Sequence, residues 1–549
     1  MKQWIKSGAP WVWLTAASVS LCVIMVVGLL LLIAARGLGH FWPADVLSVH
    51  YGNDDTVITI IGEIHNEEWV TTQRLRDSGL TLATDEETVQ RVLLKVGNRD
   101  ITGLDFRWLV EPLIIARERP PNIMVLERYE WGNFYGYLHS VSEHGVVTAS
   151  GETAWGALEQ RLHRATQLRE RIDDIEKGRL SHINSQLEKL RLKERARRLQ
   201  HNDDNATYAD IDNARTELNR QYESLQQQLA TLYHELSRDS LTATVMDGQT
   251  VEIPLSKLVR AYRPNTMGTM EKTGLYLSKL GEFLLDDPRE ANTEGGIFPA
   301  IFGTVMMVIV MSIFVTPFGV IAAIYLREYA TQGPVTRTIR IAVNNLAGVP
   351  SIVYGVFGLG FFVYFLGGAM DQLFFPAALP APTFGTPGLL WASLTLALLT
   401  VPVVIVATEE GLSRVPRAVR EGSLALGATQ AETLWRTVIP MASPAIMTGL
   451  ILAVARAAGE VAPLMLVGVV KLAPSLPVDL EAPYVHLERK FMHLGFHIYD
   501  VGFQSPNVEA ARPLVYATAL LLVLVIIVLN LAAITLRNRL REKYKSLEH

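Results

Sequence analysis

Apolar positions along this 549-residue chain fall into six dense runs, separated by one long interval of mixed composition and several shorter polar loops. The runs lie near Trp11–Ala35, Phe298–Tyr325, Ser351–Leu366, Leu389–Thr408, Ile446–Val470 and Leu514–Ile534, the third being short and Gly-rich. A helix needs roughly 20 apolar residues to cross a hydrocarbon core about 30 Å thick, and these runs come close to or exceed that length. They predict a polytopic all-α membrane protein with six transmembrane helices. The interval after the first run has ordinary globular composition and predicts a large inserted domain. The chain thus divides into an anchor helix (1–36), the inserted domain (37–293), a five-helix membrane domain (294–536) and a basic tail (537–549).

Inside the inserted domain the period changes. Val57–Ile64, Thr88–Gly97 and Asn122–Trp131 are rich in β-branched and aromatic residues and are bounded by turn signals such as Pro120-Pro121-Asn122, so strands are expected. From Trp155 the apolar positions recur at steps of three and four, through Leu158, Leu162, Ala165, Leu168 and Ile172. After a polar break at His201–Asn205 the steps resume from Ile211 to Leu236. A heptad-like seam on each side of a break predicts an antiparallel coiled-coil hairpin over about 155–238, its first helix on the order of 60 Å long. Val245–Ile253 reads as a return strand around Asp247-Gly248, and Thr269–Leu285 as a helix leading back to the membrane, which makes the domain α+β. Near the hairpin tip, Arg191, Lys193, Arg195, Arg197 and Arg198 alternate with Glu188 and Glu194. They read as a solvated face, the alternative being a docking patch for an acidic partner. Sensor, scaffold and lid all remain open as roles for the hairpin.

Charge fixes orientation rather than partners. A net charge of −5 carries no nucleic-acid signal. Lys2 and Lys6 precede the first run; Arg327, Arg337 and Arg340 follow the second; Arg414, Arg417, Arg420 and Arg436 follow the fourth; Arg537, Arg539, Arg541, Lys543 and Lys545 close the chain. Residues 367–388 contain no Lys or Arg. The positive-inside bias then puts both termini in the cytoplasm and the inserted domain outside. The first run exceeds the 7–15 residues of a signal-peptide core and no A-x-A site follows it, so a retained anchor is expected. Cys22, the sole cysteine, allows no intrachain disulfide.

The polar loop at 409–442 is patterned as two short amphipathic helices around Gly427, whose freedom at positive φ suits a sharp elbow. Leu424, Leu426, Leu434 and Trp435 are apolar residues in a loop with no core of its own. A groove in another protein would receive them, the alternative being the inner leaflet. Pro440 and Pro444 are expected to end the loop and redirect the chain. No Gly-Lys dipeptide occurs, so a P-loop is absent, and no cytoplasmic segment is long enough for an ATPase domain. Glu421-Gly422-Ser423, then Gly427, then Thr437-Val438-Ile439-Pro440 after nine more residues, resembles the E-A-A-x-x-x-G-x9-I-x-L-P loop of ABC-importer permeases. Glu421, Gly427 and Pro440 stand in register, whereas Gly422 and Ser423 replace the alanines, Thr437 the isoleucine and Ile439 the leucine.

The fifth run carries Arg456 and Glu460, four residues apart and hence on one helix face near mid-bilayer. Ionisable groups there are costly unless paired or wet. Arg456 would present a positive site to a passing anion with Glu460 holding it, or the two would form a closed ion pair. Ala455–Leu464 (ARAAGEVAPL) resembles the A-R-A-x-G-E-T-A-P-L signature of phosphate-importer permeases, with Val461 for threonine, and Asn344–Leu359 is similar to their L-A-G-V-P-S-I-V-Y-G segment. Together these resemblances imply a PstA-type phosphate ABC-importer permease subunit with the type I importer fold. Its place would be a bacterial inner membrane, with the inserted domain periplasmic. They also imply partners: a homologous second permease, two ATPase subunits that use ATP and Mg, a periplasmic phosphate-binding protein and the lipid around it. The chain itself would be no enzyme and would hold no cofactor. Arg456 and Glu460 would line the substrate pathway; Glu421, Gly422, Ser423, Gly427, Ile439 and Pro440 would couple to the ATPase. Nothing in the family pattern accounts for the inserted domain. Competing readings are another oxyanion, sulfate or molybdate, and a membrane sensor or scaffold. An enzyme is the weakest reading, because His65, His163, His182 and His201 show no ligand spacing.

Overall fold

The computed structural model describes residues 7–544 apart from 54–55, 78, 81, 83, 85, 202–204, 290–292 and 506–507. Six helical segments are long and apolar enough to cross a membrane: Trp11–Gly39, Phe298–Tyr329, Ser351–Phe374, Leu389–Arg414, Gln430–Gly459 and Val508–Arg539. The first, α1 (Ala9–Gly39), buries none of its apolar window within the chain and packs chiefly on the sixth span.

Two antiparallel sheets build the inserted domain. β1 (Val46–Asn53), β2 (Thr56–Thr71), β3 (Thr88–Lys95), β4 (Phe106–Val110) and β5 (Ile114–Glu118) form one, in the order β4-β3-β2-β1-β5. The other contains β6 (Ile123–Arg128), β7 (Phe134–Glu143), β8 (Val146–Ser150), β9 (Asp239–Thr244), β10 (Thr250–Pro254) and β11 (Leu258–Tyr262). Its order is β10-β9-β7-β6-β11, with β8 on β7. Strand β6 shows why the run Ile123–Leu126 is continuously apolar. Met124 and Leu126 pack on one side with Ala154 and Leu158, while Ile123 and Val125 pack on the other with Val46 and Ile61 of the first sheet. A strand covered on both faces has no polar positions to alternate with. The return strand expected around Asp247-Gly248 is β10, with residues 245–249 turning between β9 and β10 and Asp247 Oδ1 accepting the Gln249 N–H at 3.0 Å.

Helix α2 (Ala154–Asp173) continues through a π-type turn, Asp174–Leu180, into α3 (Ser181–Leu199), and α4 (Asn205–Leu236) runs back. Ala165, Leu168, Ile172, Ile175 and Ile183 meet Leu225, Leu229 and Leu236 along the seam. Part of the basic tip is paired within the hairpin: Arg191 with Glu188, and Arg198 and Arg215 both with Glu194. Lys177 Nζ ties the hairpin to Asp287 Oδ2, just after α5, at 2.8 Å, and Glu481 of the membrane domain takes Lys189 Nζ at 2.8 Å and the His182 ring. Lys189 and His182 hold the Glu481 carboxyl below its ordinary range. Helix α5 (Thr269–Leu285) leads from the domain to the bundle.

The bundle comprises α6 (Phe298–Ile324), α7 (Pro334–Leu346), α8 (Ser351–Phe357) continued by a π-type turn into α9 (Gly368–Phe374), α10 (Leu389–Arg414), α11 (Arg417–Ala425), α12 (Gln430–Thr433), α13 (Ile439–Gly459), α14 (Leu494–Tyr499) and α15 (Val508–Tyr544). Helix α10 is its axis, packed between α6 and α13 around Met307, Met311, Leu396, Leu399, Ala453 and Ala457. Small residues permit the close approach: a Cβ at Gly358 would collide with Thr395. At one end of α10 the Leu389 and Leu390 N–H groups donate to the Arg489 and Leu487 carbonyls, in the same loop as Glu481. At the other end lies the 409–442 loop. The inserted domain and that loop therefore occupy opposite ends of the bundle.

Candidate functional site

The elbow at 409–442 is built by backbone geometry first. Helix α11 ends as the Leu426 and Gly427 N–H groups donate to the Gly422 and Leu424 carbonyls, and Gly427 turns the chain at φ +88°. A side chain would strain there, so glycine suits the position. Thr429 then caps α12 reciprocally with Glu432, and the Ser423 and Thr433 hydroxyls meet at 2.9 Å, fastening the two arms. Glu421 and Gly422 lie exposed on α11, and the Glu421 carboxylate makes no hydrogen bond or ion pair among the described residues. Ile439 and Pro440 begin α13, half-buried.

Two expectations need correction here. Leu434 is not part of an apolar surface awaiting a partner: it is 4% exposed, packed with Leu412, Val415 and Val438 at the foot of α10. What remains bare is Leu424, Leu426 (91% exposed) and Trp435 (69%). Nor do Pro440 and Pro444 end the loop. Helix runs unbroken from Gln430 to Gly459, with a π-type turn at Leu434–Val438 just before Pro440. The wider turn accommodates an imide that has no proton to donate.

Arginine clamps hold the elbow, a role that neither the positive-inside bias nor attraction to the inner leaflet implies for these residues. Arg420 reaches back from α11 to Glu328, at the end of the second span, with Nη1–O distances of 2.7 and 2.6 Å, and its Nη2 donates to the Leu412 carbonyl at 2.6 Å. Arg340 on α7 binds Glu409 at 3.2 Å and the Leu326 carbonyl at 3.0 Å. The only sequence hint was Glu328 beside the basic cluster.

Arg456 and Glu460 do come together, at 3.5 Å from Nε to Oε1, but not as neighbours within one helix. The predicted span Ile446–Val470 breaks: α13 stops at Gly459 and Glu460 is already extended (φ −78°, ψ 132°). Pro463 explains the stop, since it cannot donate to the Gly459 carbonyl and its ring would clash there. Arg456 therefore occupies the last turn of α13, where unpaired carbonyl dipoles favour a cation. Its side chain is 34% exposed and Glu460's 21%, so the pair borders open space rather than a sealed core. Tyr354 lies buried in the same core, donating to the Leu346 carbonyl at 2.6 Å. Among the described residues no group of three or more His, Cys, Asp or Glu is arranged to hold a metal ion.

Residues 315–545, which carry the elbow and most of the bundle, match the family described as binding-protein-dependent transport system inner membrane component. Among curated relatives, the phosphate transport system permease protein PstA 1 of Mycobacterium tuberculosis (strain CDC 1551 / Oshkosh) is 39% identical over 175 residues, covering 32% of this chain and 52% of that protein. The probable phosphate transport system permease protein PstA of Methanocaldococcus jannaschii is 31% identical (34% and 60% covered), and the probable ABC transporter permease protein YqgH of Bacillus subtilis 30% (35% and 59%). The chain spans about half the length of the curated relatives it matches. Among solved structures, the inward-facing MetNI methionine ABC transporter aligns at 18% identity with a TM-score of 0.33, covering 44% of this chain and 94% of that one. The matched family segment contains the elbow and the Arg456–Glu460 pair. The inserted domain lies outside it.

Proposed function

We propose that this chain is the permease subunit of an ATP-driven importer that carries inorganic phosphate across a bacterial inner membrane. One observation carries the reading: an elbow shaped by Gly427, fastened by Arg420, presents Leu424, Leu426 and Trp435 unburied at the end of the bundle opposite the inserted domain. Bare apolar side chains on a braced helical elbow fit a groove in a partner protein. The chain has no P-loop, so hydrolysis of ATP with Mg belongs to that partner, present in two copies beside a homologous second permease. Closure of the ATPases moves α11 and α12, and through the clamps moves the second and fourth spans. Arg456 attracts the anion by its charge, while Glu460 keeps the site from holding it too tightly. Names of the relatives favour phosphate over sulfate or molybdate. The inserted domain sits on the periplasmic side, where a phosphate-binding protein delivers cargo.

Uptake of radiolabelled phosphate into cells expressing the chain with its ATPase tests the reading, with unlabelled sulfate and molybdate as competitors. Leu426→Asp is expected to abolish both uptake and recovery of the ATPase with the permease. Full uptake by that variant, or competition by sulfate at equal concentration, overturns it.

A further inference from the structure

Residues 471–491 form a loop between the bundle and α14, and its two limbs are held by different parts of the molecule. The first limb, 476–481, is gripped by the hairpin, since Glu481 takes Lys189 and the His182 ring. The second, 486–491, is fastened to α10. There the Leu487 and Arg489 carbonyls accept the Leu390 and Leu389 N–H groups at 2.8 and 2.9 Å, and a Cβ at Gly388 would collide with the Glu488 carbonyl.

Asp479 is the hub that joins the limbs. Its Oδ1 accepts the Glu481 N–H at 2.8 Å and faces His486 Nε2 at 3.0 Å, and its Oδ2 lies 2.6 Å from Arg489 Nη1. Arg489 also donates to the Leu476 carbonyl at 2.8 Å, and the His486 N–H to the Pro477 carbonyl at 2.7 Å. Burial disfavours the Asp479 charge, but the Glu481 N–H, Arg489 and His486 outweigh it and hold the carboxyl below its ordinary range. The other ring nitrogen of His486, Nδ1, lies 3.0 Å from Glu488 Oε1.

His486 is thus a buried ring with a carboxylate oxygen at each nitrogen. A neutral imidazole carries one N–H and satisfies one of these oxygens, while its other nitrogen turns a lone pair toward the second. The imidazolium carries two and satisfies both with charge-assisted bonds. Arg489, the other cation in contact with Asp479, is engaged by Oδ2 and by the Leu476 carbonyl. Lys490 lies on the same limb, the hairpin's Lys189 and His182 meet Glu481, and residues 389–396 of α10 carry no charge.

We propose that His486 is a protonation-dependent clip. With the imidazolium in place the two limbs are locked, and the hairpin and the Leu389 end of α10 move as one; loss of the proton frees each from the other. The lock is strongest at acid pH and weakens through the range where imidazole ordinarily gives up its proton, between about pH 5 and 8. Charging of the buried His493 ring on acidification loosens the chain instead, so the two histidines act in opposite senses. On the function proposed above, the pH being read is that of the periplasm; the clip itself does not rest on that function.

Hydrogen exchange of the full chain in mild detergent, at pH 5.5 and pH 8 with labelling times scaled to the intrinsic amide rates, tests the clip. In wild type the amides of 476–491 and of Leu389 and Leu390 should exchange roughly three- to tenfold faster at pH 8, the scale of one charge-assisted contact to a partly exposed carboxylate. His182→Gln should show the same rise, and His486→Gln should be loose to the same degree at both pH values. Glu488→Gln is a second probe, because its amide nitrogen can donate to an unprotonated ring nitrogen; it should keep the loop protected at pH 8 and flatten the rise. A flat wild-type profile overturns the clip, as does a rise that persists in His486→Gln or stands undiminished in Glu488→Gln. A rise abolished by His182→Gln would overturn it in favour of the hairpin's own histidine.

Discussion

Replacing Glu328 with Gln tests whether the elbow is held from the membrane domain or only by its own turn. The carboxylate receives Arg420 Nη1 through both oxygens, at 2.7 and 2.6 Å, with side chains 11% and 23% exposed. Glutamine preserves shape and one acceptor but removes the charge, while the bond from Arg420 to the Leu412 carbonyl survives. A charge-assisted contact of this kind contributes about 1.5–3 kcal/mol, and local opening of the elbow should become easier by that amount. Since about 1.4 kcal/mol is a factor of ten, amide exchange in 417–433 should accelerate roughly 10- to 150-fold. Hydrogen exchange read by mass spectrometry on the full chain gives this directly. Arg420→Met should act in the same segment, and the double variant should be milder than the sum, because no unpaired charge is left behind. Exchange changed by less than threefold, or raised evenly across the bundle, would show that Gly427 and the Thr429 cap position the elbow unaided.

Other outcomes follow from single contacts. Gly427→Pro forces φ from +88° to about −65° and removes the bond to the Leu424 carbonyl, an expected local cost of about 3 kcal/mol; unchanged recovery of the ATPase with the permease would contradict it. Arg456→Gln should reduce phosphate uptake about tenfold or more at equal expression, the scale of one lost charge contact, and wild-type rates would remove Arg456 from the pathway. Burial holds the His493 ring down to about 4, below its unfolded value of about 6.5, so between these values the unfolded state binds the extra proton. Stability is then lost as pH falls through 6.5, by about 1.4 kcal/mol at pH 5.5; melting measured from pH 7 to 5 should show the drop in wild type and a shallower one in His493→Asn. Glu481→Ala should loosen α3 from the loop below it about two- to fivefold, the ~0.5–1 kcal/mol of a partly exposed pair, visible as faster exchange confined to 181–199.

Much of this architecture was legible because its signals are local and repeated. Six apolar runs report a bilayer's thickness, and the hairpin seam from Leu158 to Leu236 repeats often enough to outvote any single position. Gly427 was readable since one residue type dominates at positive φ. Other features depend on partners distant in sequence. Nothing near Arg420 names Glu328, 92 residues away, as its acceptor, and nothing near Leu434 shows that Leu412 and Val415 will cover it. The break at Gly459 was misjudged because apolarity continues past it to Val470, masking the proline that ends the helix. The two sheets were unreadable for a related reason: β6, apolar on both faces, carries no alternation to tell which neighbour lies where.

Helix α10 is gripped at both extremities. Near Leu389 it is stitched to the loop that holds the hairpin through Glu481, and near Leu412 it is stitched to the elbow through Arg420. A rod fastened to two opposite surfaces cannot tilt at one without reporting at the other. Whatever settles on the hairpin and prefers one tilt will, by reciprocity, change how tightly the elbow's occupant is held, and the occupant will return the effect in equal measure.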